Sequence, residues 1–121
     1  MSKKILVADD DPTLIKVIQP FLESHNYNVI TAHDGEQGID AVKKNKPDMI
    51  VLDIQMPRMN GYTFIFELKK ITDIKNLPII VLTAKEGMAE IFKVEGVKEY
   101  ICKTFKPEVL LTSSKKYVPA E

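Results

Sequence analysis

Cysteine occurs once in the chain, at Cys102, so no disulfide can close within it, and without a cluster of cysteine or histidine a zinc site is not expected. Neither sign of charge dominates, because Lys plus Arg and Asp plus Glu number 17 each. No global field therefore draws the protein to nucleic acid or to an anionic membrane, and direct contact with either is not expected. Long apolar runs are missing too. Nothing approaches the ~20 residues that span a bilayer, and the opening "MSKKILVADDDP" lacks the apolar stretch and cleavage site of a signal peptide, which predicts a cytoplasmic location. Internal repeats, low-complexity tracts and linkers are also absent. A length of 121 residues suits one core, so a single domain over 1–121 is expected, with a loose tail from about 114 to 121.

What is present is a series of short apolar blocks: "KILVA", "NVIT", "MIVLD", "PIIVL" and "YIC". They are apolar at consecutive rather than alternate positions, the pattern of strands covered on both faces in a parallel sheet. Segments of helical period separate them. From Pro12 to about His25, Leu14, Ile15, Ile18, Phe21 and Leu22 recur at three- and four-residue spacing, with Pro12 suited to a first turn and Pro20 expected to kink the helix. "DGEQGIDAVKKN", the stretch from about Asn60 to Ile71, "EGMAEIFKVEG" and "KPEVLLTSSKK" supply four more helices, the last of doubtful length. Five strand-helix repeats predict an open, doubly wound α/β sheet, because parallel neighbours need crossovers.

In such sheets the ligand crevice lies beyond the C-terminal ends of the strands, where strand order reverses. Polar residues follow the apolar blocks directly at those ends: Asp9, Asp10 and Asp11 after the first, Asp53 in the third, Thr83 in the fourth and Lys103 in the fifth. With strands one and three adjacent, as in the order 2-1-3-4-5, Asp9, Asp10 and Asp53 converge. Carboxylates so placed repel, and a divalent cation relieves them. Oxygen-only ligands suit Mg²⁺, which keeps several waters and shares its site with phosphate. Lys103 offers a point charge for phosphoryl oxygens and Thr83 a hydroxyl donor, while one carboxylate remains to act as nucleophile. Asp11, just before Pro12, reads instead as a helix N-cap.

Taken together, "ILVADDDP", "TAHDGEQGI", "PDMIVLDIQMPRMNGY", "LPIIVLTA" and "EYICKTF" resemble, in order and spacing, the receiver domain of two-component response regulators, over essentially the whole chain. The resemblance implies a (βα)₅ fold in which Asp53 accepts a phosphoryl group from a sensor histidine kinase or a histidine phosphotransfer protein. It implies Mg²⁺ held by Asp9, Asp10, Asp53 and the carbonyl of Gln55, phosphate contacts from Thr83 and Lys103, and Tyr100 as an aromatic switch acting with Thr83. Pro57 and Gly61 match the turn after the phosphoacceptor strand. The output would be a surface formed by the fourth helix, fifth strand and fifth helix, presented to a downstream effector of unknown identity or to a second copy in a phosphorylation-dependent homodimer. A receiver promotes its own phosphorylation and dephosphorylation, and is not a multiple-turnover enzyme.

The chain departs from the family pattern at Thr104, where a proline usually follows the lysine, and in a shortened interval between Thr83 and Lys103. Two other functions fit part of the sequence. Asp9-x-Asp11-x-Thr13 after an apolar strand satisfies the first motif of haloacid-dehalogenase-type phosphatases, with Asp9 as nucleophile and Asp11 as general acid/base. That reading leaves Asp53 without a role and lacks the later acidic pair those enzymes use. The other is an interaction module of receiver fold that works without phosphorylation.

Overall fold

A computed structural model describes residues 3–53, 61–72, 76–83, 97–102 and 106–120, with the backbone alone for Gly61, Tyr62 and Thr83. Along the chain these form β1 (Lys3–Ala8), α1 (Pro12–Glu23), β2 (Tyr27–Ala32), α2 (Gly35–Asn45), β3 (Met49–Asp53), α3 (Gly61–Ile71), β4 (Ile79–Thr83), β5 (Val97–Cys102) and α4 (Pro107–Tyr117). The helix read in "EGMAEIFKVEG" lies outside the described residues, so α4 is the helix expected as the fifth.

The five strands form one parallel sheet in the order β2-β1-β3-β4-β5. Strand residues alternate between two cores, which is why their apolar runs are unbroken. Ile5, Val7, Met49, Val51, Ile80 and Leu82 join one core with Ile15, Ile18 and Leu22 of α1 and Leu110 of α4. Leu6, Ala8, Ile50, Leu52, Ile79 and Val81 join the other with Val42 of α2 and Phe64, Ile65 and Leu68 of α3. The edge strand β5 is longer than "YIC" suggests. Its first half, Val97-Lys98-Glu99, is only partly buried and breaks the apolar pattern, and a register irregularity lies opposite Ile79 and Ile80.

Helix ends follow their caps. The Asp11 carboxylate accepts the Thr13 N–H at 3.0 Å, with Pro12 opening α1, so the N-cap reading of Asp11 holds. α1 continues three residues past Pro20 to Glu23. Asp34 caps α2 through the Gln37 N–H at 2.8 Å, and Lys46 closes that helix in the left-handed region at φ 49°.

The C-terminal segment differs from the loose tail expected from about 114. α4 runs to Tyr117, and Val118 beyond it is buried. Few apolar residues were visible there because α4 buries two serines whose hydroxyls are satisfied locally. Ser114 donates to the Leu110 carbonyl at 2.8 Å and Ser113 to the Glu99 carboxylate at 3.1 Å. Tyr27 fastens the end by donating its hydroxyl to the Val118 carbonyl at 2.8 Å, a bond that joins β2 to a segment 91 residues away.

Burial pushes the Tyr27 phenol above its usual value of 10.0, outweighing an opposing backbone hydrogen bond from Ala120. A raised native pKa means that the folded state holds its proton where the unfolded chain has lost it. The contribution of Tyr27 is thus complete below pH 10 and declines as pH rises through the native value. Tyr27→Phe is expected to cost about 1 kcal/mol at neutral pH. Urea titrations of both proteins should converge above pH 10, and a constant difference would show that Tyr27 does not titrate as described.

Candidate functional site

The acidic site follows from the period of the strands. Val7 of β1 and Val51 of β3 face the same core, so the positions two residues on, Asp9 and Asp53, are directed to that same face. Registers bring them side by side. Ala8 pairs with Leu52, placing Asp9 and Asp53 at adjoining steps at the C-terminal edge. Asp53 pairs in turn with Leu82, so Thr83 ends β4 one step further along the same edge.

Carboxylate oxygens of Asp9, Asp10 and Asp53 all lie within 4.8 Å of one another. Asp9 and Asp53 are buried, whereas Asp10 is exposed and forms the mouth of the cluster. The Asp9 N–H donates to the Ala32 carbonyl of β2 at 3.0 Å, and its Oδ1 accepts the Asp11 N–H at 2.8 Å. Asp11 therefore does two things, capping α1 with its side chain and orienting Asp9 with its backbone. The sequence signals the first role. The second depends on the turn between β1 and α1, which no residue pattern reveals.

Two buried like charges this close repel by roughly 3 to 4 kcal/mol at an effective dielectric of 20. A hard cation on oxygen ligands removes that cost, and the donor set here, carboxylates with an open side at Asp10, fits Mg²⁺ better than zinc or a soft metal. Among the described residues no other group of three acidic or metal-ligating side chains comes together in this way.

Of the other residues singled out from the sequence, Thr83 is placed by its backbone at the end of β4, with its side chain outside the described residues. Gln55, Pro57, Lys103 and Thr104 also lie outside them. Cys102 pairs with Thr83, so β5 ends level with β4 at the same edge of the sheet. Tyr100 pairs with Val81 and is half-buried, its ring packed against the core on the α2 and α3 side.

Comparison with known proteins agrees with this geometry. The family model described as the response regulator receiver domain matches residues 5–115. The alkaline phosphatase synthesis transcriptional regulatory protein PhoP of Bacillus subtilis is 38% identical over 109 residues, covering 88% of this chain and 45% of PhoP. The chain thus spans about half the length of the curated relatives it matches. Among solved structures, the chemotaxis response regulator CheY4 of Vibrio cholerae superposes with a TM-score of 0.89 at 28% identity, over 98% of this chain and 100% of that one. The receiver domain of the sensor histidine kinase PA1611 of Pseudomonas aeruginosa, solved with a magnesium ion coordinated in its active-site cleft, gives a TM-score of 0.85 at 26% identity, over 97% of this chain and 98% of that one.

Proposed function

Because the chain belongs to the response regulator receiver domain family, a phosphoacceptor module of two-component signalling, we propose that Asp53 is its phosphorylated residue and that Asp9 and Asp10 hold the metal beside it. The convergence of these three carboxylates at one edge of the sheet carries the reading. Asp53 is the member seated at the end of the central strand β3 and buried there, where its carboxylate would attack phosphorus in line. Phosphoryl transfer passes through a loose transition state, so the site contributes position and charge balance rather than covalent chemistry of its own. Mg²⁺, when bound, supplies neutralisation of the phosphoryl oxygens and of the carboxylates themselves. Asp10, open to solvent, would complete the metal site together with the Gln55 carbonyl, and Asp9 has one carboxylate oxygen fixed by the Asp11 N–H.

Thr83 and Lys103 contact the phosphoryl oxygens in this reading, the lysine as a mobile positive charge. The new charge draws Thr83 toward it and releases space for Tyr100, now half-buried one strand away. The donor of the phosphoryl group is a sensor histidine kinase or histidine phosphotransfer protein. The altered face, built on β5 and α4, meets an effector or a second copy of the chain. The protein acts on its own aspartate and turns over no other substrate, in the cytoplasm. A phosphatase built on Asp9 and Asp11 is disfavoured because Asp11 is committed to capping α1, and because Asp53 joins the cluster without a task in that mechanism.

Metal binding is tested by thermal unfolding. Mg²⁺ at a hundred times its dissociation constant should stabilise the fold by about 2.7 kcal/mol. Asp10→Asn should remove that increment while leaving the metal-free protein at least as stable, since a repulsive charge has gone. Equal melting temperatures of the native protein with and without millimolar Mg²⁺ would refute the metal site.

A further inference from the structure

At the edge of the sheet opposite the acidic cluster, a cleft of about 660 Å³ opens beneath the N-terminal ends of the strands. Its walls come from both helical layers: the last turn of α2, the end of α3, and the end of α4. The apolar lining includes Val42, Leu77, Pro78 and Val118, with the Tyr117 ring to one side. Lys3, Lys43 and Lys46 stand around it, and Lys43 and Lys46 are exposed. Volumes of roughly 300 to 1,000 Å³ with a mostly apolar lining and a few charged groups are those of small-molecule sites.

Charge selects the class of ligand. Asp48 also lines the cleft, with its Oδ2 engaged by the Lys4 N–H at 2.8 Å. The C-terminal ends of α2 and α3 each bring roughly half a negative charge to this edge. At the end of α4 the Lys116 ammonium, 5.3 Å from the centroid of the Tyr117 ring, more than offsets the corresponding half-charge. With Lys3, Lys43 and Lys46 around the cleft and the Lys4 ammonium on the Asn45 carbonyl at the end of α2, 3.1 Å away, the balance is positive and favours an anion, and the apolar lining beside it suits an amphipathic carboxylate better than a bare phosphate.

We propose that this cleft is a binding site for a small amphipathic carboxylate, its apolar or aromatic body lying against Leu77, Pro78 and Val118 and its anionic end between Lys43 and Lys46. The site is separate from the aspartate cluster and does not rest on the phosphoacceptor reading. Because one ligand there touches the end of α2, the segment entering β4 and Val118 beyond α4, occupancy bridges the two layers of the fold.

The test uses 3-phenylpropionate, octanoate and the neutral 3-phenylpropanamide, each titrated into the isotopically labelled protein and followed by amide chemical shifts. Saturable shifts with either carboxylate, centred on Lys43, Lys46, Asp48, Leu77 and Val118, are expected, and the better of the two reports whether an aromatic or an aliphatic body is preferred. The amide should bind about tenfold more weakly, as should the carboxylate to the Lys43→Gln/Lys46→Gln double variant. Both lysines are exposed, so the double variant should keep its fold, and an unchanged amide spectrum elsewhere verifies that. Absence of saturable shifts up to about 10 mM carboxylate, weaker than any useful ligand on the affinity scale, would overturn the proposal. So would equal binding of amide and carboxylate, or shifts centred on the acidic cluster.

Discussion

Asp53→Asn should abolish phosphoryl incorporation from acetyl phosphate in the presence of Mg²⁺, with a fall of at least ~100-fold in the phosphorylated fraction by intact-mass spectrometry. The amide has the shape of the carboxylate but no charged oxygen to attack phosphorus. Its neighbours Asp9 and Asp10 remain within reach, and the experiment asks whether either can replace it. Asp9 is held by the Asp11 N–H and buried, and Asp10 sits at the exposed mouth, so neither is presented as Asp53 is at the end of β3. The variant should fold at least as well without metal, because one of two buried like charges has been removed. Loss of phosphorylation with a fully folded protein therefore isolates chemistry from stability. Retained labelling would assign the nucleophile elsewhere.

The second large effect lies at the contact between α2 and α3. Phe64 is fully buried, and a Cβ built on Gly38 would come within 2.5 Å of its ring. α2 and α3 therefore approach as closely as they do because position 38 has no side chain. Phe64→Ala should destabilise the fold by about 3 to 5 kcal/mol, from lost burial and the cavity left behind. Gly38→Ala alone gains helix propensity of about 1 kcal/mol but drives a methyl into a ring that cannot move aside, so it should destabilise by ~1 to 3 kcal/mol. In the Phe64→Ala background the sign should reverse, with Gly38→Ala stabilising by up to ~1 kcal/mol. Denaturant titrations of the four proteins measure the coupling directly. Additive effects would mean that the helices do not meet at this pair.

How much of this was legible beforehand depended on whether one residue or several strands set the feature. Unbroken apolar runs make the two-sided parallel sheet legible, whereas the strand order, and with it the meeting of Asp9, Asp10 and Asp53, rests on the resemblance to a known fold. Asp11 announced its cap through a short carboxylate before a helical segment. β5 runs longer than its apolar residues suggest because an edge strand keeps polar residues such as Lys98 and Glu99. The order at the end of α4 is hidden from the sequence for a different reason. Its stability comes from Ser113, Ser114 and the distant Tyr27, contacts that composition within the segment does not show. The restriction at Gly38 was equally silent, since a glycine inside a helical pattern looks only like a weak helix former until the opposing Phe64 is seen.

The central claim is that three carboxylates from two strands make one phosphoryl-accepting site, with Asp53 as the acceptor. It is tested most directly by phosphorylating the unaltered protein with acetyl phosphate and Mg²⁺, trapping the acyl phosphate by reduction with borohydride, and mapping the modified residue by peptide mass spectrometry. The modification should fall on Asp53 alone, at no more than one per chain, and should vanish when Mg²⁺ is chelated. Modification of Asp9, or incorporation that is indifferent to the metal, would contradict it.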